Sequence, residues 1–155
     1  MGDYTRTTRE CTLETLNPGL AIAVRSYAEK HELPDLLQTI LICCETASTK
    51  KKKGLFGGKT ELILTGMLVT PRWLIWATAR ENEPPGVIAS RLSEIRVQDY
   101  EKSDFYKMIP DSGLNIDNLA TGTSEHGSTF LGLGGEPAAE KFRSTLREAQ
   151  QKAQK

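Results

Sequence analysis

The sequence predicts a mainly β fold with helices, an α+β domain in which antiparallel strands lie between an N-terminal helix and a long final helix. Two observations carry this expectation. Apolar residues recur at three- and four-residue spacing near both ends, and the region between them is a series of short Val-, Ile-, Leu- and Trp-rich runs punctuated by Pro, Gly and Asn. A length of 155 residues fits one such domain, long enough to bury a core without staples.

The first helix starts at Asn17-Pro18, a capping side chain followed by a ring already fixed at helical φ. Leu20, Val24, Tyr27 and His31 form its stripe, which stops at Pro34. In LQTILICCETAS, Ile40, Ile42 and Cys44 alternate with Leu41, Cys43 and Glu45, and two mostly apolar faces predict a strand in the middle of a sheet near residues 38–48. TELILTGMLVT and RWLIWATAR, divided by Pro71, predict strands near 60–70 and 72–80. GVIASRLSEIRVQDY follows the turn signal ENEPPG, and the weaker runs GLNIDNLA and STFLGL complete a meander of six or seven strands. The period then changes: Ala139, Phe142, Leu146, Ala149 and Ala153 make one stripe flanked by charges, predicting a helix from about Glu136 to Ala153. Residues 1–35 read as an N-terminal tail, with residues 1–11 disordered, plus the amphipathic helix. Residues 36–155 read as the domain proper.

Charge and cysteine usage narrow the function classes. Twenty Lys and Arg balance twenty Asp and Glu, so no overall field draws the chain to nucleic acid. Residues 50–59 nevertheless hold five Lys and no acid, leaving 15 basic against 20 acidic residues elsewhere. Three Cys cannot close a disulfide framework, and no C-x-x-C pair is present to hold a metal. A reducing, cytoplasmic location is expected, since MGDYTRTTRECTLETL has no apolar run for a secretory signal and no segment has the ~18 apolar residues of a membrane span. Arg6 stands where a myristoylation motif on Gly2 wants Ser or Thr.

Lys50 to Thr60 reads KKKKGLFGGKT. A P-loop needs Gly, four residues, then Gly-Lys-Ser/Thr between a strand and a helix, because the N–H groups at the helix start grip the phosphates. Here three residues separate Gly54 from Gly58, Lys53 holds the required Gly position, and TELILTGMLVT continues as a strand. P-loop nucleotide binding is therefore disfavoured. GLGGEP before the last helix has Gly132 and Gly134, but Pro137 stands where a dinucleotide fingerprint wants its third Gly. His31 and His126 have no partner at metal-ligand spacing, and Cys43 and Cys44, on opposite faces of one strand, read as apolar packing. Asp99 and Glu101 beside Arg96 and Lys102 read as a solvated strand face. No catalytic residue, metal or cofactor is expected.

LILTGMLVTPRWLIWATA resembles the bacterial pleckstrin-homology-like domains, which show a leucine-rich strand, a Thr, turn residues with an Arg, and an apolar strand. Leu68-Val69-Thr70, Pro71-Arg72 and Trp73 to Ala77 carry the likeness, which extends over about residues 36–153. The resemblance implies two orthogonal antiparallel sheets forming a partly open β-barrel capped by the C-terminal helix, here preceded by an N-terminal helix. In eukaryotic pleckstrin-homology domains the loop between the first two strands is basic and holds inositol-phosphate head groups. By chain order that loop is TKKKKGLFGGK, although four consecutive Lys followed by Gly depart from the eukaryotic spacing.

The sequence therefore points to a non-enzymatic binding module. Lys50, Lys51, Lys52, Lys53 and Lys59 are its candidate anion-binding residues and Leu55 and Phe56 its interface tip. Anionic lipid head groups or an acidic protein segment are the expected partners, and a peripheral membrane position follows from the first. The alternative is a homo-oligomeric scaffold using the N-terminal helix and a strand edge, with the Lys-rich stretch only a solvated hairpin.

Overall fold

The structure, a computed structural model, describes residues 4–51, 60–120 and 126–154. In chain order the elements are β1 (Thr5–Cys11), α1 (Pro18–Lys30), a 3-10 helix (Pro34–Gln38), β2 (Ile42–Lys51), β3 (Thr60–Val69), β4 (Trp73–Arg80), β5 (Gly86–Arg91) and β6 (Arg96–Asp99). Two short 3-10 helices (Tyr100–Lys102 and Asp104–Lys107), β7 (Gly113–Ala120), β8 (His126–Gly132) and α2 (Pro137–Ala153) follow. The strands form two antiparallel meanders, β1-β2-β3-β4-β5 and β6-β7-β8.

Period-two alternation in the central strands explains how the larger sheet serves two cores. Ile42, Cys44, Met67, Val69, Leu74 and Trp76 face one side, where β6–β8 and Phe142 and Leu146 of α2 complete the core. Cys43, Leu68, Ile75 and Ala77 face the other, against Leu16, Leu20 and Val24. The expectation of apolar faces on both sides of β2 is met because one helix covers each side. Gly66 lets α1 approach closely: a Cβ there would stand 3.0 Å from Leu16 Cδ1.

The helix ends follow the sequence signals. Asn17 Oδ1 accepts from the Gly19 and Leu20 N–H groups, with Pro18 in the first turn. The chain leaves α1 through Glu32 at φ 55°, with the Leu33 N–H bonded to the Ala28 carbonyl. The stripe is Leu20, Ala21, Val24 and Ala28; Tyr27 is half-buried and His31 exposed, the two rings 4.1 Å apart. In the β3–β4 turn, buried Thr70 accepts from the N–H groups of Arg72 and Trp73, which gives the Thr-Pro-Arg-Trp signature a structural role.

Two expectations are corrected. Residues 5–11 are not disordered but form β1, paired with β2 from Thr5↔Thr49 to Cys11↔Cys43. TRTTREC looks like a tail because its one fully buried side chain is polar: Thr8 shares a 2.9 Å hydrogen bond with Thr46. Nor do the sheets close into a barrel; among the described residues they remain separate, and α2 packs on β1, β2 and β3 to fill the gap.

Candidate functional site

Of the residues singled out from sequence, Lys50 and Lys51 end β2, while Lys52, Lys53, Leu55, Phe56 and Lys59 lie outside the described residues. The pairing of β2 with β3 is unbroken from Ile42↔Val69 to Lys51↔Thr60, so a regular two-stranded stem leads into the Lys-rich stretch. A strand follows the Gly-Gly-Lys-Thr sequence, as expected, where a phosphate-binding loop would require a helix start.

The surroundings of Lys50 are aromatic and basic. Its Nζ lies 5.4 Å from the centroid of the Tyr4 ring, and the Arg6 guanidinium covers the same ring at 4.8 Å and Phe130 at 5.2 Å. Arg6 reaches this position because the β1–β2 register places it opposite Ser48. It donates to Ser48 Oγ at 2.6 Å and, bidentately, to Asp111 at 2.8 and 2.7 Å. Gly132 makes room, since a Cβ there would collide with the guanidinium.

Burial alone would push the Asp111 carboxyl up, but the Arg6 hydrogen bonds, the Ser112 N–H and the Arg6 charge override it and hold it below the usual carboxylate range. The stability Asp111 contributes is thus present at neutral pH and lost as pH falls through that lowered range. A cleft of about 320 Å³ opens between Tyr4, Arg6, Tyr106 and Gly134. Arg6, the cation among the described residues lining it, is already paired with Asp111.

The Gly-rich GLGGEP stretch is absorbed by packing. Gly134 donates to Thr8 Oγ1 at 2.9 Å, and Glu136 accepts from the Thr8 N–H at 2.8 Å, tying β1 to the start of α2. A Cβ on Gly134 would strike Glu136 and the Arg6 carbonyl.

Two features escaped the sequence reading. Beside the cleft, the second of the paired 3-10 helices and its exit expose a run of apolar side chains: Phe105 at 65%, Met108 at 80% and Ile109 at 48%, with Tyr106 next to the cleft. The apolar letters of DFYKMIP, outside any strand pattern, were the available signal. Further along the surface, a groove of about 640 Å³ passes Trp73, with Arg91 5.4 Å above its ring and Arg72 and Lys152 nearby. It continues past Leu33 towards Glu32 and Asp35, so its charge is mixed.

Among the described residues no group of three His, Cys, Asp or Glu could hold a metal. Cys11 and Cys43 face each other across β1 and β2 with sulfurs 3.4 Å apart, the hydrogen bond between them lowering the Cys11 pKa and raising that of Cys43, which burial raises further. Burial pushes the Cys44 thiol up to about 12. Cys11 should therefore take a single maleimide in native protein, with Cys43 and Cys44 labelled only after unfolding. Native labelling of Cys44, read by peptide mass spectrometry, would contradict the packing described.

No helix among the described residues is long and apolar enough to cross a membrane. Comparison with known proteins finds no matching family model, no matching curated protein and no matching solved structure.

Proposed function

We propose that this chain is a non-enzymatic binding module of the pleckstrin-homology-like kind, which meets anionic lipid surfaces through its Lys-rich β2–β3 hairpin. The observation that carries this reading is the unbroken β2–β3 stem, which ends at Lys51 and leads into a stretch with three further Lys, with the β1–β2 pairing setting Lys50 beside the Tyr4 ring that Arg6 also covers. Support for the fold kinship comes from the seven strands β2–β8 arranged in two antiparallel meanders, with the stripe of α2 buried in the core they share. Recognition is by charge density rather than by a shaped pocket, since Arg6, which shares the Tyr4 ring with Lys50, is committed to Asp111.

Each Lys near an anionic leaflet contributes ~1 kcal/mol, and the five together at most ~5 kcal/mol before any ordering cost. Such binding is salt-sensitive, because the Debye length drops to ~3–5 Å at several hundred millimolar salt. Wild-type protein is expected to co-sediment with phosphatidylserine-containing vesicles at low salt and to release as salt rises. Lys51→Glu, Lys52→Glu and Lys53→Glu together should remove at least ~3 kcal/mol of attraction, a loss of about a hundredfold or more, with the thermal transition unchanged. Wild-type protein that ignores these vesicles at low salt, or a triple variant that binds equally well, would replace this reading with the scaffold one.

A further inference from the structure

We infer that Phe105, Met108 and Ile109 form a preformed apolar wedge that enters the acyl boundary of an anionic bilayer while the neighbouring lysines engage its head groups. This rests on the proposed function and adds a second contact to it. Large apolar side chains exposed in one short run ordinarily mark a surface that something covers.

The backbone beneath these residues is fully built. Tyr100, buried and edge-on to Phe130 at 5.1 Å, donates its hydroxyl to the Ile109 carbonyl. The N–H groups of Met108 and Ile109 both bond to the Phe105 carbonyl, at 3.1 and 2.8 Å. Glu101 accepts from the Gly113 N–H at 3.0 Å and forms an ion pair with Arg143 at 2.9 Å, closing the far side of the segment. The apolar groups are held outward by a hydrogen-bonded frame, so little ordering cost accompanies their burial.

Charge and shape select the occupant. Lys102 and Lys107 flank the wedge, with Asp104 the one carboxylate beside it that has no ion pair among the described residues. Tyr106 and Tyr4 line the same cleft, and Lys50 lies on Tyr4, which places the basic end of β2 next to the wedge. Basic side chains around protruding apolar ones are the pattern of an interfacial anchor, whose binding grows with apolar area and with attraction to anionic lipid. A second copy docked by the same patch would bring like charges together, and three or four partly exposed side chains cannot supply the ~800 Å² per partner of a stable interface. A bound peptide would need a groove lined by these apolar side chains, and the neighbouring cleft is lined by Tyr106 rather than by Phe105, Met108 or Ile109.

The test uses vesicles of phosphatidylcholine with about 40% phosphatidylserine, a composition chosen to give strong anionic charge. Phe105→Ser, Met108→Ser and Ile109→Ser together should lower partitioning by tenfold or more, since each apolar group of this size is worth about tenfold when fully inserted. Ile22→Ser, an equally exposed apolar position on α1, should change nothing. In a Met108→Trp variant the new indole should be quenched by brominated acyl chains. Wild-type partitioning by the Ser variant, or an unquenched indole in the Met108→Trp variant on vesicles that bind it, overturns the wedge and leaves the Lys-rich contact standing. No wild-type binding at low salt overturns both. A dimer in solution that the Ser substitutions dissociate also overturns the wedge, assigning this face to a second copy.

Discussion

Replacing Phe142 with alanine is expected to lower stability by ~3–5 kcal/mol, about 6–20 °C in melting temperature for a domain of this size. The ring is 0% exposed and belongs to the core that Leu74, Ile116, Leu131 and Leu146 share, where α2 closes the space between the two sheets. Among the described residues no strand of one sheet pairs with a strand of the other, so the two sheets depend on what fills the gap between them, and the surrounding strands cannot collapse onto a missing ring without breaking register. Denaturant unfolding checks the value. A loss below about 0.5 kcal/mol would show that Phe142 is not a core residue, and with it the placement of α2 would fail.

The legible and illegible parts of the chain divide along one physical line. β2, β3 and β4 could be read because Ile42–Cys44, Met67–Val69 and Leu74–Trp76 are buried on both faces, which forces apolar residues into short unbroken runs. α2 could be read because one face is dry and the other wet, so its stripe stands out against charge. β1 could not: it lies at the sheet edge, and apart from Cys11 at its end its inward contacts are hydrogen bonds of Thr8 and an ion pair of Arg6 rather than apolar packing. The wedge violates the usual sorting in the opposite sense, with Phe105 and Met108 outside where pattern reasoning looks for them inside. At the candidate site, composition alone revealed the Lys run. Tyr4, beside Lys50, and Tyr106, which lines a cleft with Tyr4, are distant from Lys50 in sequence and sit in unpatterned stretches, and only the β1–β2 register and the turn after β6 bring them to one end.

The carboxylates Asp99 and Glu101 show the same failure, and their correction yields the second large effect. Strand alternation places them on a solvated face beside Arg96 and Lys102, yet in the folded protein both converge on Arg143, whose side chain is 7% exposed. Its Nη1 donates to Asp99 at 2.7 Å and to the Gly113 carbonyl at 3.2 Å, and its Nη2 lies 2.9 Å from Glu101. Nε alone lacks a hydrogen bond. Arginine falls on the flank of the α2 stripe, so the sequence marks it as a surface charge; the turn from β6 into the 3-10 helices covers it.

Removing this cation strands two carboxylates that have already given up part of their water. Arg143→Met is therefore expected to cost ~3 kcal/mol, the lower end for a buried pair because Glu101 remains partly exposed. Arg147 and Lys102 also approach Asp99, at 3.3 and 3.7 Å, and limit the loss further. The diagnostic comparison is the triple variant Arg143→Met, Asp99→Asn, Glu101→Gln. If the cost comes from uncompensated charge, neutralising the partners recovers a part of it, and the triple variant is more stable than Arg143→Met alone. Costs that simply add would make Arg143 a packing residue whose methylene stem matters more than its head. Because Glu101 also holds the Gly113 N–H at the far side of the wedge, Arg143→Met should raise amide exchange through residues 100–112 before it affects β2–β4. Uniform acceleration across the chain would instead mean that the ion cluster supports the whole core and has no special hold on the segment that carries Phe105, Met108 and Ile109.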